Sequence, residues 1–158
     1  MILFNPTGLG IRSDSRGNGH FGAPRSKKKD GKTVHYKHEG TDFALLPFAD
    51  ASDQLVRASI EGTLVMAYPY KDDMSYMGCR IWGKDWMSIM FYFIPYPKLL
   101  HEKVLAGEVI GVAQNIGEKY EGVTPHIHCG LYKLNPTLLV NPEKYLDTEA
   151  NRLKNGGY

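Results

Sequence analysis

The sequence predicts a mainly β fold: a compact, sandwich-like antiparallel β-sheet domain with a short C-terminal helix. Short runs rich in β-branched and aromatic residues recur along the chain, with turn residues at nearly regular spacing between them. The 17 glycines and 9 prolines favour many turns. One segment alone, residues 141–155, has helix signals: Asn141 can cap it, Pro142 suits its first turn and Gly156-Gly157 follows it.

The remaining elements are assigned in chain order. Residues 1–37 are rich in glycine and basic residues and are predicted to be irregular. Hairpin turns are predicted at Glu61-Gly62 and at Gly83-Lys84-Asp85. The predicted strands lie in "TDFALLPFA", "LVRASIEGTLVMAYPY", "GCRIWG", "WMSIMFYFIP", "EVIGVAQNIG" and "HIHCGLYKL".

Length and charge restrict the class of protein. The 158 residues suit a single domain, which we place over 1–158. A net charge of only +2 argues against a nucleic-acid-binding protein. The most apolar stretch, Trp86 to Pro95, is far shorter than the roughly 20 residues of a membrane span. We therefore expect neither nucleic acid nor a membrane as a partner.

Cysteines and the N-terminal segment indicate the compartment. Cys79 and Cys129 are too few for a disulfide framework, so two free or buried thiols are expected, with a single bridge as the alternative. The segment "MILFNPTGLGIR" lacks a basic start and a long apolar stretch, so it is not predicted to be a secretory signal. Either the protein stays where it is made, or another route carries it outside.

Two N-terminal motifs have ordinary interpretations. The "GNGHFG" at 17–22 fits G-x-G-x-x-G, but no apolar strand precedes it and Pro24 is a poor start for the required helix, so a tight glycine turn is expected. Lys27 to Lys29, together with Arg25, are expected to form a solvated loop; a contact to an anionic polymer is the alternative.

The histidines carry the functional signal. His126 and His128 lie two apart in a predicted strand, so both side chains point to one face. His38 and Asp42 share a face if "HEGTDF" is extended, and Gly40 leaves room between them. One histidine of the pair, with His38 and Asp42, makes a three-ligand set with an open position, the catalytic type of zinc site. The other histidine could act as a general base, although strand histidines are often just satisfied polar residues.

In combination, "HEGTDF", "EGTLV", "GEVIGVAQNIG" and "TPHIHCGLY" resemble, in that order, the lysostaphin and LytM-type zinc endopeptidases, which cut peptide cross-links in bacterial cell walls. The resemblance covers roughly residues 16–146. It implies an antiparallel β fold with a groove over one sheet. It also implies that His38, Asp42 and His128 ligate Zn²⁺, that His126 is catalytic and that peptidoglycan peptides are the substrate.

One position departs from that family. Its second catalytic histidine lies nineteen residues before the glycine that closes "G-x-x-I-G"; nineteen residues before Gly111 this chain has Tyr92. His101 is near but out of register. The leukocyte cell-derived chemotaxins show a similar departure, and this chain resembles them at "RGNGHFGAPR" and "MFYFIP"; they keep the zinc site but are regarded as ligands. Two functions stay open: a peptidase with Tyr92 as oxyanion donor, or a catalytically silent zinc-binding module.

The resemblance also bears on context. Residues 26–37 look like an insertion that would border the groove; His35 within it and His20 before it are expected to be exposed, with a contact to substrate or zinc as the alternative. A wall hydrolase without a secretory signal would suit a bacteriophage virion, where neighbouring tail proteins hold it; a lysis protein is the alternative. We therefore expect a virion or extracellular location.

Overall fold

The computed structural model describes residues 1–47 and 54–146. Within those ranges the chain forms fourteen strands and three 3₁₀ turns. The strands are β1 (Ser13–Asp14), β2 (Gly17–Asn18), β3 (Pro24–Lys29), β4 (Lys32–Lys37), β5 (Thr41–Ala44), β6 (Leu55–Arg57), β7 (Gly62–Ala67), β8 (Gly78–Trp82), β9 (Trp86–Phe91), β10 (Phe93–Pro95), β11 (Lys103–Val104), β12 (Val109–Ala113), β13 (His126–Lys133) and β14 (Leu138–Val140). The 3₁₀ turns are Pro97–Leu99, Ile116–Glu118 and Pro142–Tyr145.

Two sheets form the body of the domain. The larger has seven strands in the order β11-β7-β8-β9-β13-β14, with β5 also paired to β13; the smaller has the order β10-β12-β6. All their strand pairs are antiparallel, which confirms the predicted class. Buried apolar side chains of both sheets form one core cluster, including Val56, Leu64, Ile81, Phe93 and Ile127.

Strand β13 shows how the larger sheet divides its two faces. Ile127, Cys129 and Leu131 are fully buried in the core. His126 and His128 alternate with them and therefore point to the opposite face. Strand periodicity alone thus separates the core side of β13 from its polar side.

Several predicted elements agree with the structure. The turn at Gly83-Lys84-Asp85 joins β8 and β9, which pair directly, so that hairpin is confirmed. Cys79 and Cys129 are buried free thiols, which was the first interpretation. Among the described residues no helix is long and apolar enough to cross a membrane.

The hairpin predicted at Glu61-Gly62 is wrong. Strands β6 and β7 flank this turn but belong to different sheets, β6 pairing with β12 and β7 with β8 and β11. A glycine turn permits reversal of the chain but does not decide which strands pair afterwards.

Residues 1–37 are not irregular as predicted. Strands β1 and β2 form one small hairpin, and β3 and β4 form a longer one whose residues are nearly all exposed. Asp30 and Gly31 join β3 to β4 with positive φ angles of 50° and 74°. Asp-Gly with both residues in that region is the preferred two-residue hairpin loop, so the signal was present in the sequence and was missed.

The predicted helix at 141–155 begins as a short 3₁₀ turn and no α-helix follows within the described residues. The Asn141 side chain accepts from the Glu143 backbone N–H at 2.9 Å, so the predicted cap forms. Leu146 then leaves helical conformation, with φ −56° and ψ 138°, and pairs with Leu3. The pairing with Leu3 therefore accompanies the end of the 3₁₀ turn, and residues 147–155 of the predicted helix lie outside the described ranges.

Candidate metal centre

A groove of about 450 Å³ opens over the polar face of β13. Three histidines and one aspartate lie at its floor: His38, Asp42, His126 and His128. Asp42 lies on β5 directly opposite His128 on β13, so antiparallel pairing places both side chains on the same face. The register of two strands thus joins the two halves of the predicted site.

Three side chains meet at one point, and we call His38, Asp42 and His128 the metal cluster. Nε2 of His38 lies 3.1 Å from Nδ1 of His128 and 3.1 Å from Oδ1 of Asp42. Nδ1 of His128 lies 3.1 Å from the same oxygen. Among the described residues this is the one group of three or more His, Cys, Asp or Glu arranged to hold a metal ion.

The spacing of the metal cluster suits zinc. Ligands at about 2.0–2.1 Å in tetrahedral geometry lie roughly 3.3 Å from one another, close to the separations found here. The donor set of two imidazole nitrogens and one carboxylate oxygen is one that zinc accepts in catalytic sites.

The outward nitrogen of His38 is held by the surrounding chain. Nδ1 of His38 lies 3.0 Å from the carbonyl oxygen of His20, which accepts its proton. In a neutral imidazole Nε2 then carries a lone pair, and this lone pair faces the Asp42 oxygen. Two lone pairs 3.1 Å apart repel each other unless a proton or a metal ion lies between them, so the cluster is built to hold a positive charge.

The carboxylate of Asp42 is fixed by Arg12. Nε of Arg12 donates to Oδ2 of Asp42 at 3.0 Å, and the Arg12 backbone N–H donates to the Asp42 carbonyl at 2.9 Å. Burial alone would raise the pKa of Asp42, but hydrogen bonds with His128 and His38 hold that pKa well below its usual range. Asp42 is therefore ionised, and its Oδ1 remains available to a metal.

Two glycines make room for the metal cluster. A Cβ on Gly40 would lie 2.5 Å from Cε1 of His128, so the space that this glycine leaves is filled by an imidazole ring. A Cβ on Gly19 would lie 2.6 Å from Cβ of Asp42. The "GNGHFG" motif, predicted to be a tight turn, thus packs its backbone against the cluster and supplies the His20 carbonyl.

His126 lies beside the metal cluster rather than within it. Its Nδ1 donates to the Thr124 carbonyl at 2.7 Å, which leaves Nε2 as the acceptor. That Nε2 lies 3.6 Å from Oδ1 of Asp42, facing the cluster. Burial lowers the pKa of His126, although the Asp42 carboxylate opposes this. At neutral pH the ring is uncharged and able to accept a proton.

Tyr92 lies where the predicted strand "WMSIMFYFIP" is broken. It separates β9 from β10, has a φ of 77°, and its backbone N–H donates to the Met77 carbonyl at 2.8 Å. The prediction that Tyr92 occupies a regular strand position is therefore wrong. Its side chain nevertheless lines the groove. Its ring meets that of His126 edge to face at 5.2 Å between centroids.

Two further tyrosines join Tyr92, and we call Tyr70, Tyr92 and Tyr120 the tyrosine wall. The Tyr120 hydroxyl donates to that of Tyr70 at 3.0 Å, and the hydroxyls of Tyr70 and Tyr92 interact electrostatically. Burial raises the pKa of Tyr92 to about 12. Tyr92 therefore remains protonated at neutral pH and can donate a hydrogen bond into the groove.

The structure brings together all five residues predicted for the site: His38, Asp42, Tyr92, His126 and His128. None of the other three histidines lines the groove. Sequence reasoning missed four positions that shape it: Arg12, Tyr70, Tyr120 and Thr124. Arg12 meets Asp42 across 30 residues, and no spacing pattern signals such a contact.

Comparison with solved structures finds proteins of the same architecture, whereas comparison by sequence does not. No protein-family profile matches the chain, and no curated protein does. Among solved structures, Csd3 of Helicobacter pylori aligns with a TM-score of 0.60 at 20% identity, over 94% of this chain and 35% of its own. Lysostaphin of Staphylococcus simulans aligns at 0.58 and 19% identity, over 96% of this chain and 52% of its own. A zinc-containing peptidase of Vibrio cholerae aligns at 0.52 and 19% identity, over 87% and 39%.

The fold is that of the lysostaphin-type peptidases. The predicted resemblance is confirmed at the level of the fold. This chain spans about a third of the length of Csd3 and about half that of lysostaphin.

Proposed function

We propose that this protein is a zinc-dependent endopeptidase that cleaves peptide cross-links of bacterial peptidoglycan. The observation that carries the proposal is the metal cluster with the acceptor nitrogen of His126 facing it from one side. A zinc ion held there supplies Lewis-acid chemistry, polarising a carbonyl and making a water more acidic.

The chain's own residues divide the remaining work. His126 accepts the proton of the attacking water on Nε2, since its Nδ1 is committed to Thr124. Tyr92 donates its hydroxyl hydrogen to the peptide oxygen as negative charge develops there. Arg12 keeps the Asp42 carboxylate in place, and the His20 carbonyl keeps the ring of His38 in the ligating tautomer.

The test is digestion of purified cell wall by the full chain loaded with zinc. New amino termini should appear with time, should stop on chelation and should return when zinc is restored. The matched control is His126→Ala loaded with the same amount of zinc. If the zinc-loaded wild type releases no amino termini, the peptidase proposal is wrong.

A second function is favoured by one observation, the tyrosine at the position where the family keeps a histidine. In that case the fold is a catalytically silent zinc module with a binding or structural role. Tyr92→His distinguishes the two: a gain of hydrolysis from an inactive wild type indicates a silenced peptidase, whereas an active wild type excludes this alternative.

The setting we propose is a virion or an extracellular site facing the cell wall, with virion tail proteins as neighbours. The support is the proposed substrate, which lies outside the cytoplasmic membrane. Probing intact phage particles with an antibody to this chain, against a particle lacking it, tests that location.

A further inference from the structure

A second hollow of about 430 Å³ lies beside the groove. It is lined by Arg16, Pro24, Arg25, Ser26 and His35. Arg16, Arg25 and Ser26 also line the groove, so the two spaces adjoin each other. We call these five residues the arginine hollow.

The arginine hollow is rich in cationic donors. Two guanidinium groups, an imidazole and a hydroxyl line it, and no carboxylate does. Arg25 donates to the carbonyls of Asn18 and Pro24, and its Nη2 lies 3.5 Å from Oδ2 of Asp42. This arginine therefore points one side of its guanidinium at the metal cluster.

The Arg16 side chain, in contrast, is left without a polar partner among the described residues. Its side chain makes no hydrogen bond or ion pair with any of the described residues, whereas the neighbouring Arg12 binds both Asp14 and Asp42. The Arg16 backbone is nevertheless held in place, because its N–H donates to Oδ1 of Asp14 at 2.9 Å. Gly122 lies against its aliphatic stem: a Cβ there would be 3.4 Å from Cγ of Arg16.

The hairpin of β3 and β4 forms the other side of the arginine hollow. Ser26 and His35 lie directly opposite each other in its register, so their side chains share one face. An unpaired guanidinium on one side and two hydrogen-bonding side chains on the other suit a small planar anion. A carboxylate matches a guanidinium in shape and charge, and can bind it through two parallel hydrogen bonds.

We propose that the arginine hollow binds a free carboxylate of the peptide whose cleavable bond lies over the metal cluster. The inference rests on the proposed function, since wall peptides carry free carboxylates at their termini and on side chains. It assigns Arg16 as the residue that selects acidic peptides over their amidated counterparts.

The test is equilibrium binding of two fluorescently labelled pentaalanines, one with a free terminal carboxylate and one with a terminal amide. With the zinc-loaded full chain we expect the acid to bind about tenfold more tightly, a preference typical of one charge-assisted contact. In Arg16→Gln the preference should fall close to one. His35→Gln should reduce the preference without abolishing it.

The matched control is Arg80→Gln, which removes the same charge from an exposed strand residue that lines neither the hollow nor the groove. It should keep the full preference. Equal binding of acid and amide by the wild type overturns the inference, and so does a preference that survives in Arg16→Gln, because a group other than Arg16 would then hold the carboxylate.

The binding test separates this inference from the proposed function. If the wild type prefers the acid but cuts no cell wall, the carboxylate site stands and the peptidase proposal fails. If the wild type cuts cell wall but binds acid and amide equally, the peptidase proposal stands and the carboxylate site fails.

Discussion

The metal cluster and the tyrosine wall line the same groove, but they are built differently. Asp42 and His128 of the cluster lie on two paired strands, directly opposite each other. Tyr70, Tyr92 and Tyr120 of the wall lie outside the strands, Tyr92 at a break with positive φ. The cluster is fixed by sheet register, whereas the wall is fixed by hydroxyl hydrogen bonds and ring contacts.

This difference separates two tasks, metal binding by the cluster and catalysis by the residues beside it. Two of the three ligands are oriented by residues outside the tyrosine wall: the His20 carbonyl accepts from His38, and Arg12 donates to Asp42. Metal binding should therefore tolerate changes in the wall, and the chemistry can be lost while the metal stays. The variants His128→Ala, His126→Ala and Tyr92→Phe test that separation.

The largest effect is expected from His128→Ala, which removes a ligand at the centre of the cluster. Zinc content measured by elemental analysis should fall from about one ion per chain to near zero, and digestion of the bacterial cell wall should stop with it. His101→Asn is the control, because His101 lies outside the groove and asparagine accepts its positive φ of 66°. Full zinc occupancy in His128→Ala would show that the ligand assignment is wrong.

His126→Ala should divide the two tasks cleanly. Zinc content should be unchanged, because His126 lies beside the cluster, while the rate of wall digestion should fall by roughly 100- to 10,000-fold with the loss of the general base. The measurement pairs elemental analysis with release of amino termini. If zinc disappears as well, His126 is a ligand and the site has no free base.

Tyr92→Phe removes one oxygen from the wall and little volume. Zinc should again stay, and the digestion rate should fall by about 100- to 1000-fold, the usual cost of one lost oxyanion donor. Tyr120→Phe is a matched control, since it removes a hydroxyl that is hydrogen-bonded to Tyr70 and not to Tyr92. An unchanged rate in Tyr92→Phe would mean that the wall only shapes the groove.

The smallest effect is expected from Glu143→Gln. This change weakens the contacts of Glu143 with His20 and Phe21, which we call the brace. The Glu143 carboxylate accepts from the Phe21 backbone N–H at 2.7 Å and lies 3.0 Å from Nδ1 of His20. We expect the free energy of unfolding to fall by about 1 kcal/mol at neutral pH, measured by urea denaturation. Zinc content should not change.

The brace should also depend on pH. Burial alone would raise the pKa of Glu143, but hydrogen bonds from His20 and Phe21 lower that pKa below its ordinary value. The ionised form is therefore favoured in the folded state, and its contribution is present above about pH 4.3, the unfolded value. It is lost as the pH falls through the lowered value. Wild type and Glu143→Gln should differ at pH 7 and converge once the pH has fallen below the lowered pKa of Glu143; a constant difference would contradict the brace.

The comparison of the two regions also shows where sequence reasoning succeeds. The cluster and His126 were found because strand periodicity places His126 and His128 on one face, and because Gly40 leaves room between His38 and Asp42. The wall was found only through Tyr92, by counting from Gly111. Tyr70 and Tyr120 carried no signal, because loop residues far apart in sequence have no shared period.

By itself, the sequence determined the antiparallel β class, the hairpin at Gly83-Lys84-Asp85, the free thiols and the residues that converge on the groove. Each of these depends on local backbone preference or on alternation along one strand. Only the tertiary structure decided that β6 and β7 join different sheets, that Leu146 pairs with Leu3 instead of extending a helix, and that Tyr92 breaks a strand. The physical reason is that the partner of a strand is chosen by burial and hydrogen bonding across many residues, and no local pattern records that choice.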